Sequence, residues 1–63
     1  MKIELYDKVK LKSGETAYIV EIYEQGVAYE ADIEKEEGTE TDTIKQQDIE
    51  YVFANYVDKR AIV

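Results

Sequence analysis

No cysteine occurs in the chain, so neither a disulfide framework nor a thiolate metal site can compensate for a small core. Histidine is absent as well, which removes the commonest general base, the commonest metal ligand and the usual switch near neutral pH. Proline and tryptophan are missing and glycine occurs three times, so no proline-rich or glycine-rich linker divides the chain. With 63 residues there is room for one core near the lower size limit for independent folding, and apolar packing alone must hold it. Catalytic clefts need a scaffold that holds several groups in register. A domain this small without histidine or cysteine is expected to bind rather than catalyse, with no cofactor and no metal.

Charge is unevenly supplied. Acidic residues outnumber basic ones by 15 to 8, a net charge of −7, and that balance repels phosphate backbones, so nucleic acid is not an expected ligand. No run approaches the ~18 apolar residues of a membrane span. The start, Met1-Lys2-Ile3-Glu4, has no apolar leader, and a cytoplasmic location is expected.

What remains is patterned as short strands. In Asp7-Lys8-Val9-Lys10-Leu11-Lys12 the apolar and cationic residues alternate, predicting a half-buried strand that ends at Ser13-Gly14-Glu15. Thr16–Tyr23 is rich in β-branched and aromatic residues, but Ile19, Val20 and Ile22 break strict alternation, which predicts a bulge or bend near Val20. After a turn at Glu24-Gln25-Gly26, Val27–Ile33 alternates with Tyr29, Ala31 and Ile33 inward and Ala28, Glu30 and Asp32 outward. A charged turn over Glu34–Gly38, a polar strand over Thr39–Ile44, a one-turn connector at Lys45–Asp48 and a closing strand over Ile49–Val52 follow.

The order of these strands and turns resembles the SH3-like small β-barrels of KOW, Tudor and several uncharacterised bacterial families. The residues that carry the resemblance are Tyr6–Leu11 leading to Gly14, Ala17–Tyr23, Ala28–Ile33 and Asp48–Val52. It implies an all-β fold, a five-stranded SH3-like barrel over about residues 5–52. The motifs that carry it are short, and they support fold far better than function. Ala17 stands where such barrels often carry glycine, and basic residues are scarce beyond Lys2, Lys8, Lys10 and Lys12, so the nucleic-acid binding of KOW domains does not carry over. Lysines on an outward strand face more commonly guard against edge pairing.

Six tyrosines admit two readings. They are strand residues filling or flanking a small core, or Tyr18, Tyr23 and Tyr29 surround a cationic side chain as an aromatic cage. The carboxylates Glu21, Glu24 and Glu30 make a basic protein or peptide the expected partner in the second case. Between Glu21 and Asp42 nine acids face a single cation, Lys35. The acids from Glu34 to Asp42 lack the alternation and central glycine of an EF-hand loop, so a solvated face or a contact for a basic protein is expected instead of a metal.

Residues 53–63 form a short apolar extension, with Phe53, Tyr56 and Val57 at helical spacing. The segment is expected to be a helix or a sixth strand and to serve as an interface, with a homodimer as the assembly it would build. The sequence therefore admits three readings: a non-catalytic binding module for a basic partner, a homo-oligomeric accessory protein, and a nucleic-acid-binding barrel.

Overall fold

The computed structural model describes residues 2–53. Tyr56 and Val57, and with them most of the expected interface, lie outside the described residues. Five strands form one antiparallel sheet: β1 (Lys8–Leu11), β2 (Thr16–Glu24), β3 (Ala28–Lys35), β4 (Gly38–Lys45) and β5 (Ile49–Val52). Their order across the sheet is β4-β3-β2-β1-β5. A 3₁₀ turn over Gln46–Asp48 joins β4 to β5.

That connection dictates the shape. Lys45 and Ile49 are separated by three residues, so their Cα atoms stand at most ~14 Å apart. On a flat sheet β4 and β5 are four strand spacings apart, or ~19 Å. The sheet must therefore curl, and it does so around one cluster of buried side chains drawn from every strand: Val9 and Leu11, Ala17 and Ile19, Tyr29, Ala31 and Ile33, Ile44, and Ile49, with Ile3 from the N-terminal segment. The curl stops short of closure, because β4 pairs with β3 and β5 pairs with β1 but not with each other. A closed barrel is thus not what the pairing draws.

The alternation expected along β1 and β3 matches the burial. Ile22 and Val52 pack against the core from its margin. The pairing of β2 with β3 shifts register between Ile19 and Glu21, and again between Ile22 and Glu24. The first shift falls at Val20 and bends β2 enough for one strand to serve both halves of the curled sheet. The second carries the chain into the turn at Gln25-Gly26, where Gly26 takes φ 82°, a conformation that costs glycine nothing.

The expected turn over Glu34–Gly38 is shorter than its composition suggests. Glu34 pairs with Thr39 and Lys35 with Gly38, leaving Glu36-Glu37 as a two-residue hairpin tip with Gly38 at φ 136°. Two long-range contacts extend the ribbon. The Tyr18 hydroxyl donates to Glu34 Oε2 (3.1 Å), and Lys35 Nζ donates to Glu15 Oε2 (2.5 Å).

The N-terminal segment is tied in by backbone and side chain together. Ile3 is fully buried; its N–H donates to Gln25 Oε1 and its carbonyl accepts from Gln25 Nε2, both at 2.9 Å. Gln25 thereby imitates one rung of a strand. The chain then turns through Glu4–Asp7, where Tyr6 adopts a left-handed φ of 69°, a strained conformation for a tyrosine. The Tyr6 N–H donating to Ile19 O (2.6 Å) and the Ile19 N–H donating to Asp7 O (3.0 Å) hold it in place.

Candidate functional site: the outer sheet face

Strand alternation sends one set of side chains into the core and the other to the opposite, outer face of the sheet. Across β1, β2, β3 and β4 the register aligns Lys8 with Tyr18, Tyr18 with Asp32, and Asp32 with Thr41. Beyond the bulge a second row aligns Glu21, Glu30 and Thr43. Glu21 and Glu30 therefore stand directly opposite one another on the same face, an arrangement of like charges that destabilises a sheet. Asp32 and Glu34 continue the line along β3, and Glu24 faces Ala28 at the end of β2.

Two tyrosine hydroxyls organise these carboxylates. Tyr23 is half exposed and donates to Glu30 Oε1; Tyr18 donates to Glu34. The bond to Glu30 holds the Tyr23 phenol above the usual tyrosine range, with desolvation and the charges of Glu30 and Glu21 acting in the same direction. Thr41 Oγ1 donates to Asp32 Oδ1 (2.6 Å). These bonds orient carboxylate acceptors on the outer face, a suitable surface for lysine or arginine.

At the other margin the face is aromatic and cationic. Lys8 Nζ lies 5.0 Å from the centre of the Phe53 ring and 5.9 Å from that of Tyr18. Phe53 in turn meets Tyr51 edge to face, with centroids 5.1 Å apart. This is cation–π geometry formed within the chain itself.

Tyr29 belongs elsewhere. It points into the core at 0% exposure, its hydroxyl accepting from the Gly26 N–H (2.8 Å) and donating to Gln46 Oε1. Tyr18, Tyr23 and Tyr29 accordingly do not surround a common space. Tyr18 and Tyr23 share the outer face with Glu21 and Glu30, while Glu24 stands at its end. Phe53 is half-buried at the β5 side of that face.

Several partners were not singled out by sequence. Glu34 reads as part of a turn, yet the same alternation that places Glu30 and Asp32 outward also places Glu34 there. Gln25 and Gln46 carry no periodic signal at all. Near the hairpin tip, the Lys35 bond holds the Glu15 carboxyl below its ordinary range, Ser13 adding to the effect; Glu15 in turn holds Lys35 above the usual lysine range.

Among the described residues no group of three or more carboxylates is arranged to hold a metal ion, and no helix is long and apolar enough to cross a membrane. Comparison with protein-family models, with curated proteins and with solved structures returned no match.

Proposed function

We propose that this chain is a non-catalytic, SH3-like binding module whose outer face on β2 and β3 docks a basic segment of another protein. The observation that carries the reading is the Glu21–Glu30 pair, two carboxylates held face to face in the strand register and continued by Asp32 and Glu34. Folding gains nothing from this juxtaposition. A lysine or arginine laid between the two would convert a repulsion into charge-assisted hydrogen bonds. Tyr18 and Tyr23 flank the line and offer rigid amphipathic surface beside it. The SH3-like description rests on the strand order, on the 3₁₀ connection before β5 and on the curl which that connection requires.

Titration calorimetry with a lysine- and arginine-rich peptide tests the proposal. Binding should weaken as salt rises and should be reduced in Glu21→Gln and Glu30→Gln. Equal binding by the parent and both variants would remove the outer face from the reading. Salt-sensitive binding of mixed-sequence DNA or RNA would replace it with a nucleic-acid role.

A further inference from the structure

Strand β4 is an outer strand of the sheet, and among the described residues its free edge is the longer of the two, since β5 spans four residues and β4 eight. Which of its backbone groups face outward can be read from their partners. The Thr43 N–H goes to the carboxylate of Asp42 (2.7 Å) and the Lys45 N–H to Asp48 Oδ2 (2.9 Å), so the odd-numbered amides point away from β3. In an antiparallel ladder the same holds for Thr39 and Thr41. Side chains thus cap the outward amides at 43 and 45, while the rungs at 39 and 41 remain open among the described residues.

The side chains beside those rungs are coded by charge. Glu40 and Asp42 lie in register with Ile33 and Ala31, on the inner face, yet both are exposed. Consider a second copy adding its own β4 antiparallel about a two-fold axis normal to the sheet. Residues directly opposite then share a face, so Glu40 and Asp42 meet Glu40 or Asp42 of the copy in each of the registers that pairs the acidic segments. Like charges directly opposite destabilise the pair, and the edge rejects itself. An extended segment with lysine or arginine at alternate positions meets the opposite condition: its backbone completes the rungs at Thr39 and Thr41 while its cations face Glu40 and Asp42.

We infer that the β4 edge is a strand-addition site for an extended basic peptide with a two-residue charge period. This rests on the basic-partner reading above but uses a different surface, the sheet edge instead of the outer face. The test uses the full chain and a short, terminally blocked peptide alternating Lys and Val. Two control peptides accompany it, one of the same composition with its lysines contiguous and one N-methylated at the amides that would pair.

Binding of the alternating peptide should slow amide exchange at Thr39 and Thr41, and N-methylation should abolish that protection. Thr41→Pro should lose it too, because proline cannot supply the rung. Since that variant also alters the strand, Glu40→Lys with Asp42→Lys serves as a second probe and should switch preference to a peptide alternating Glu and Val. Equal binding of all three peptides, or binding without protection at Thr39 and Thr41, would overturn strand addition while leaving outer-face docking intact. A parent chain that is dimeric, with those same amides already protected, would assign the edge to a second copy. In Glu21→Gln and Glu30→Gln the protection at Thr39 and Thr41 should persist; its loss there would assign the peptide to the outer face instead of the edge.

Discussion

Replacing Tyr29 with Phe isolates the polar cluster beneath the core from the core itself. The ring stays fully buried against Ile22 and Ile44, its register partners, so the substitution opens no apolar cavity. What disappears is one hydroxyl that accepts from the Gly26 N–H at 2.8 Å and donates to Gln46 Oε1. Each such bond contributes a net ~1 kcal/mol, and a buried donor or acceptor left without a partner costs ~1–3 kcal/mol. Gln25 Oε1, 3.5 Å from the same hydroxyl, is engaged with Ile3 and offers only partial replacement. The expected loss is therefore about 2 kcal/mol, out of a total stability of roughly 3–9 kcal/mol for a chain this short.

In a domain of this size that loss corresponds to a fall in Tm of roughly 8–16 °C. Thermal melts followed by circular dichroism measure it, and amide exchange at Gly26 should accelerate beyond the global change. The cluster also couples the turn after β2 to the 3₁₀ turn before β5, so Tyr29→Phe and Gln46→Ala should be less than additive in the double variant. A Tm shift smaller than about 4 °C, under the equivalent of ~1 kcal/mol, would show that the Gly26 N–H and Gln46 Oε1 are satisfied equally well by water and that the cluster does not hold the two turns together.

Ile19→Asp places a charge at a position with 0% exposure, a cost comparable to the whole stability; the variant should be unfolded, and a cooperative melt near that of the parent would refute the register. Because like charges face each other across β2 and β3, raising salt to ~0.5 M, where the Debye length is a few Å, should raise Tm, whereas a fall would show that attractive pairs dominate. The Glu30 bond holds Tyr23 above the ordinary tyrosine range, so its stabilisation is present below ~10 and is lost as pH rises through the higher value; Glu30→Gln should move the Tyr23 titration down, as read by ultraviolet absorbance. Glu15 is held below its ordinary range by Lys35, so the stability gap between parent and Lys35→Gln should be open at neutral pH and close as pH falls through the lowered Glu15 value.

Local sequence pattern was enough to locate the strands and most of the core. The adjacent Ile19 and Val20 announce a break in alternation, and the register shifts there. Ile49–Val52 has the same bounds in sequence and structure. The failure at Glu34–Gly38 has a physical reason: four charged residues before a glycine resemble a loop, but Tyr18 and Glu15, distant in the chain, supply Glu34 and Lys35 with partners that hold them in the strand. Tyr29 stood in the inward register and also among the cage candidates; burial places it in the core, and with it goes any common enclosure for the three tyrosines. Gln25 and Gln46 were illegible because a glutamine has no preferred period and its partners are decided only when the sheet curls.

The openness of the sheet follows from four alternating residues on the inner register of β4. Gly38, Glu40 and Asp42 are exposed, and only Ile44 is buried. Had apolar side chains occupied the positions opposite Ile33 and Ala31, β4 would fold over the core and carry its edge toward β5. Carboxylates resist that move, because taking a charge out of water costs several kcal/mol, and Glu40 stays at the surface with Lys35 Nζ 3.9 Å away. Ile44 anchors the strand at the end next to the 3₁₀ connection, and the inner-register positions before it are exposed. The feature that keeps the sheet open is thus the one that leaves Thr39 and Thr41 reachable. It also repels an identical strand, so accessibility and resistance to self-association come from the same two side chains, Glu40 and Asp42.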